Sequence, residues 1–184
     1  MINQIKNDDI LKTFTCITCE ENGICATIDD QITEEEVAIV KVDGFYSSLK
    51  LKETPPSIDF LVSVDCTENS YVLYLIELKN INSPGGFNIK NVYGKFRTTI
   101  EDFMSVKFSY IYLNPKYSIK DLMLYFVSDP YRLNKVGIAY EDYQKDKKNA
   151  LKVDNFLLQK PFLFNGKACL IKPILPNPLI RKIL

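Results

Sequence analysis

Three side chains have the types and spacing to do chemistry together: Asp59, Glu77 and Lys79. Ser57 to Val64 and Ser70 to Lys79 are rich in β-formers, and the polar stretch Asp65-Cys66-Thr67-Glu68-Asn69 between them reads as the turn of a hairpin. A turn centred on Thr67 or Glu68 sets Asp59 beside Glu77 across the two strands and leaves Asp65 and Glu68 as turn residues at the far end. Side chains alternate along a strand, so Glu77 and Lys79 share a face with Asp59 while Leu78 points the other way. Two adjacent carboxylates in an apolar sheet repel one another and lose hydration, so the fold needs a compensating cation. Magnesium suits such a site, because it prefers oxygen ligands and keeps several waters; manganese can substitute. Asp59, Glu77 and the backbone carbonyl of Leu78 would be the protein's ligands. Metal-bound water is more acidic than bulk water, and the Lys79 ammonium could position it or neutralise charge developing at a phosphorus centre.

These residues must be held by the elements around them. Tyr71-Val72-Leu73-Tyr74-Leu75-Ile76 is apolar on both faces, the pattern of a central strand covered by helices on either side. Val37 to Val42 reads as a short strand stopped by Asp43-Gly44, and Phe45 to Leu51 as a further extended piece. After the break at Ser83-Pro84-Gly85-Gly86, the apolar residues Ile89, Val92, Phe96, Ile100 and Phe103 predict one amphipathic helix from Asn88 to Ser105. Phe108 to Leu113 reads as extended, and Leu122 to Val127 as a buried strand stopped by Asp129-Pro130.

Outside this core, of about residues 37–127, Asn3 to Lys12 suggests a short helix, and residues 13–28 a hairpin turning at Asn22-Gly23. The C-terminal extension, 140–184, begins with a charged helical stretch, Tyr140 to Lys152. A second hairpin at Asn165-Gly166 and a proline-bearing tail follow. A chain of 184 residues is expected to form one domain, 1–184.

Ser57-Ile58-Asp59 followed by Glu77-Leu78-Lys79 resembles the signature of the PD-(D/E)XK nuclease superfamily, which includes many restriction endonucleases. The order β, β, β, α, β across residues 37–127, about half the chain, is similar to that family's core. The resemblance implies an α/β fold with a restriction-endonuclease-like core, a central mixed β-sheet flanked by helices, here extended by a C-terminal β-hairpin. It implies metal ligation by Asp59 and Glu77 and water activation by Lys79. Some members add an acidic residue from the first helix, and Glu36 is the nominee for it here. Two departures stand out: Ser57 lies near the expected turn in place of proline, although Pro55-Pro56 is close by, and the first helix is weakly marked.

The expected activity is therefore magnesium-dependent hydrolysis of phosphodiester bonds in nucleic acid, DNA more than RNA and as an endonuclease, with the polymer drawn from the resemblance. Lys90, Lys95 and Arg97 on the helix after the site could contact the nucleic-acid backbone, or form a solvated face balanced by Glu101 and Asp102. Formal net charge is zero, so no global field holds a polyanion, and a homodimer or protein partner is expected to help grip a duplex. The rival reading is a noncatalytic protein-interaction module with a nuclease-like fold, using the apolar tail Leu179 to Leu184; a metal-dependent enzyme on a small phosphorylated substrate is a third.

Cys16-X-X-Cys19 with Cys25 lacks both a histidine and a second pair, which argues against zinc. An odd five cysteines and a start, Met1 to Asp9, without the apolar core of a signal peptide suggest free thiols in the cytoplasm. No apolar run approaches the ~18 residues that a membrane helix needs, so no membrane partner is expected.

Overall fold

The computed structural model describes residues 1–67, 69–80, 87–129, 153 and 155–183. Along the chain run α1 (Ile2–Asn7), β1 (Thr15–Cys16), β2 (Cys19–Glu21), β3 (Ile24–Ile28), β4 (Val37–Lys41), α2 (Val42–Ser48), β5 (Phe60–Thr67) and β6 (Ser70–Lys79). They are followed by α3 (Ile89–Thr98), a π-helical continuation (Thr99–Lys107), α4 (Ser109–Tyr112) and β7 (Ser118–Ser128). The last strands are β8 (Phe162–Phe164), β9 (Lys167–Cys169), β10 (Ile171–Ile174) and β11 (Leu179–Ile180).

The fold is α/β, with a mixed six-stranded sheet in the order β1-β4-β5-β6-β7-β10. Strands β4, β5 and β6 form an antiparallel meander. The chain then crosses over through α3 and α4 to β7, which lies parallel to β6. A connection of this length, with a helix in it, is what a parallel neighbour requires. Strand β6 is buried on both faces, as its sequence demands, but the two covers differ. The odd-numbered side of β6, Tyr71, Leu73 and Leu75, packs with Leu61 against Tyr46, Phe96, Phe103 and Phe108 of the helical layer. The even-numbered side, Val72, Tyr74, Ile76 and Leu78, packs against Cys19, Ile24, Ala26 and Ile180. Those last four belong to a small sheet ordered β11-β3-β2. The expectation of helices on both faces is thus corrected: an apolar strand records that both sides are covered, not by what.

Both Asn-Gly turns form as expected. Asn22 and Gly23 have φ of 51° and 74°, and Asn165 and Gly166 have 48° and 75°. Positive φ at both central residues is the twist-matched two-residue turn that asparagine and glycine tolerate best. They close β2–β3 and the C-terminal hairpin β8–β9.

Three short segments differ from expectation. Phe45 to Leu51 is not extended, because Val42, Phe45 and Tyr46 sit one helical turn apart and bury one face of α2; Asp43-Gly44 lies inside that helix instead of stopping β4. Phe108 to Leu113 is likewise helical, with Ile111 and Tyr112 buried through α4. In runs this short, helical and strand spacings of aromatic residues overlap, and the packing partner decides. The single helix expected from Asn88 to Ser105 starts where foreseen, with the Asn88 side chain accepting from the N–H groups of Lys90 (2.9 Å) and Asn91 (3.2 Å), but widens into a π-helix at Thr99. The Ser83 to Gly86 break and the helical stretch Tyr140 to Lys152 lie outside the described residues.

No helix among the described residues is long and apolar enough to cross a membrane. All five cysteines are free thiols.

Candidate metal centre

The β5–β6 register pairs Phe60 with Ile76 and Leu61 with Leu75, so Asp59, one residue before β5, falls next to Glu77. Where the ladder ends, the Asp59 side chain takes the place of a strand partner: Oδ2 accepts the backbone N–H of Leu78 at 2.6 Å. That bond holds the carboxylate in one orientation and leaves Oδ1 for the Lys95 ammonium. Asp59 is 5% exposed and Glu77 2%.

One cation already binds both. Lys95, on α3, donates to Glu77 Oε1 at 2.6 Å and lies 3.7 Å from Asp59 Oδ1. Two contacts join the helix to the segment before Asp59. Thr99 Oγ1 accepts the N–H of Ile58 at 3.4 Å while donating to the Lys95 carbonyl at 3.0 Å, and Gly94 lies opposite the Pro56 ring, where an added Cβ would make ordinary van der Waals contact.

Lys95 does not complete the shell of acceptors, because Glu77 Oε2 is buried with no hydrogen-bond partner. Burial pushes the Asp59 carboxyl above the usual range, with the neighbouring Glu77 charge adding to it and Lys95 and the Leu78 N–H opposing it. Burial also raises Glu77, opposed by Lys95 and Lys79. An unpartnered carboxylate oxygen costs free energy that further cation contact would recover.

Two further acids reach the same place. Glu21, at the end of β2, and the exposed Asp43, in the first turn of α2, each bring a carboxylate oxygen to within 4.8 Å of Asp59 and of each other. Asp43 is delivered by the junction of α2 with the Asp59 strand, where the N–H groups of Val42 and Asp43 donate to the carbonyls of Asp59 (3.0 Å) and Ile58 (3.1 Å). Glu21 is delivered by the β2–β3 hairpin, whose tip is tied to the end of β6 by Asn80 Nδ2 donating to the Asn22 carbonyl at 2.9 Å. A cavity of about 440 Å³ opens here, lined by Glu21, Asn22, Asp59, Glu77, Leu78, Lys79, Asn80 and Lys95.

Of the residues singled out in the sequence, Asp59, Glu77, Leu78 and Lys79 come together at this cavity, and Lys95 joins them as the ion-pair partner of both carboxylates. Lys79 forms no ion pair among the described residues, though its charge is felt at Glu77. Lys90 and Arg97 are exposed on α3 and do not line the cavity. Glu36 is not part of the site. It lies just before Val37, which pairs with Val64, whereas the site is at the Lys41–Phe60 end of the same strand pair, roughly 15 Å away along five residues. There it closes a capping box with Thr33 and pairs with Lys182 at 2.5 Å.

Glu21 and Asp43 were not foreseen, because one precedes an Asn-Gly turn and the other an apparent strand stop, both ordinary places for a solvated acid. Lys95 did carry a signal: it falls on the helix stripe of Val92 and Thr99, both buried, where a charge needs a partner.

The donors fit a hard divalent cation. Glu21, Asp43 and Asp59 bring carboxylate oxygens close enough to share one such ion, no histidine competes in the chain, and Glu77, outside that trio, keeps one buried oxygen without a hydrogen-bond partner. Comparison with family models, curated proteins and solved structures yields no significant match.

Proposed function

We propose that this chain is a metal-dependent nuclease that hydrolyses phosphodiester bonds in nucleic acid, with Asp59 and Glu77 as metal ligands. The observation that carries the reading is the buried Asp59–Glu77 pair, which lines a polar cavity together with Lys79 and Lys95 and leaves Glu77 Oε2 without a hydrogen-bond partner. Support also comes from the order of elements, an antiparallel β4-β5-β6 meander and a helical crossover to a parallel β7, which is similar to the PD-(D/E)XK core. A DNA endonuclease is the finer form of the proposal, with magnesium as the physiological cation and manganese able to replace it.

Bound at these carboxylates, the cation would polarise the scissile phosphate and acidify a water molecule. Asp59 contributes Oδ1 in a fixed direction because Oδ2 is held by Leu78. Glu77 contributes its spare oxygen. Lys79, on the same strand face as Glu77, orients the attacking water and shields charge growing on the phosphoryl oxygens. Lys90 and Arg97, exposed on the same helix as Lys95, are the nominees for contacts to flanking phosphates. Zero net charge leaves the grip on a duplex to local contacts and to a second copy or a protein partner.

The test is cleavage of circular and linear DNA, with single-stranded RNA alongside, in magnesium, manganese or EDTA, comparing the native chain with Asp59→Ala and Lys79→Ala. Metal-dependent cleavage lost in both variants supports the reading and identifies the polymer. Equal inactivity of all three proteins, with no metal binding by calorimetry, overturns it in favour of a noncatalytic interaction protein. A cavity of about 440 Å³ also suits a small phosphorylated substrate. Metal binding with hydrolysis of phosphate monoesters but no nucleic acid would establish that reading instead.

A further inference from the structure

We infer that Lys95 is a positioning residue that competes with the divalent cation for the carboxylates and is released toward the cavity when the cation binds, so that metal binding and phosphate binding are coupled. This rests on the metal-dependent reading above.

The Leu78 N–H occupies Asp59 Oδ2, which leaves Oδ1 as the oxygen that can serve a cation. Lys95 Nζ lies 3.7 Å from that oxygen and 2.6 Å from Glu77 Oε1. A divalent ion bound to Oδ1 would sit at ~2.1 Å from it, and an ammonium beside that ion would meet a doubly charged neighbour in a poorly solvated place. The two cations therefore cannot share the pair.

The backbone of Lys95 lies within helix α3 and its carbonyl accepts from Thr99, which also bonds the Ile58 N–H, so it is the side chain that yields. Its four methylenes are flexible, and the residue lines the cavity, so the ammonium has open space to enter. There it meets the region where a phosphodiester would approach the metal, and its charge, no longer neutralised by Glu77, is available to a phosphate oxygen. The metal-free protein thus keeps its buried acids paired, and the loaded protein gains a second phosphate-facing lysine beside Lys79.

The decisive measurement is calorimetric titration of manganese into the native chain, Lys95→Met and Glu77→Gln, with folding checked by circular dichroism. Loss of the competitor should tighten manganese binding by roughly tenfold, the equilibrium worth of one charge-assisted hydrogen bond, while Glu77→Gln weakens it. A purely structural role for Lys95 would leave the affinity unchanged or lower it. Unchanged or weaker binding by a folded Lys95→Met, with the native chain still binding manganese, overturns the competition and leaves the metal site standing. No binding by any of the three overturns both.

Acetylation of lysines in the native protein, read by mass spectrometry with and without manganese, keeps the idea testable if Lys95→Met fails to fold. Labelling of Lys95 should rise several-fold when manganese is present. An unchanged rate in a protein that binds manganese overturns the release.

Discussion

Two carboxylate–lysine pairs sit at opposite ends of the sheet and behave in opposite ways. At one end, Glu36 meets Lys182 in a partly exposed pair, and the hydrogen bond from Lys182 holds its carboxyl below the usual range. At the other, Lys95 binds two carboxylates at once, yet burial keeps both above that range. One lysine satisfies one solvated acid. It does not satisfy two buried ones, and the surplus is visible as the unpartnered Glu77 Oε2. Burial, more than the identity of the ion pair, separates a surface fastening from a centre able to take a cation.

The largest effect expected from this contrast is on catalysis. Asp59→Asn or Glu77→Gln should lower magnesium-dependent cleavage by on the order of 10²- to 10³-fold, measured as initial rates on plasmid DNA. Glu36→Gln should leave those rates unchanged, and a loss comparable to that at Glu77 would erase the contrast.

Next in size is the stability of the metal-free protein. Lys95→Ala strands two buried carboxylates and should cost ~2 kcal/mol in urea unfolding, a loss that added manganese recovers. If manganese does not recover it, the carboxylates are not the metal's ligands.

Acidity sharpens the comparison. Asp59 and Glu77 have raised values in the folded chain, so it binds more protons than the unfolded one at any pH between the ordinary carboxylate range, ~4, and those raised values. Their contribution is therefore fully present below that range and is lost as pH rises through the raised values. Glu36, with a lowered value, has the opposite sign: its contribution is present above the ordinary range and disappears as pH falls through the lowered one. Thermal melts without metal should fall in Tm as pH rises toward neutral and beyond. The double variant Asp59→Asn, Glu77→Gln should remove that slope and Glu36→Gln should not.

The smallest effect concerns the hairpin that carries Glu21. Gly23 has φ of 74°, so Gly23→Ala should cost about 1 kcal/mol through backbone strain alone. Because Asn22 and Asn80 tie that turn to the site, it should also weaken manganese binding a few-fold, about as much as Glu21→Gln does. A Gly23→Ala protein that loses stability without any change in metal affinity would detach Glu21 from the centre.

What could be read from the chain alone follows the range of the interaction concerned. The two Asn-Gly turns depend on the φ preferences of adjacent residues, and the Asp59–Glu77 pairing on counting outward from a short turn, so local rules suffice for both. The helix starting at Asn88 was likewise legible in its apolar spacing. The helical state of Val42 to Ser48 and of Ser109 to Tyr112 was not, because runs of four to seven residues take their conformation from the surface they pack on.

The sequence by itself determined that two acids and a lysine would converge at the end of a buried strand and that the strand would be covered on both sides. Only the tertiary structure decided what else reaches them. Glu21 arrives on a hairpin from the small sheet, Asp43 on the first turn of a helix and Lys95 on a crossover that Thr99 ties to the Ile58 backbone. These approaches join segments distant in the chain through packing between layers, and no local spacing rule encodes the distance at which two layers meet.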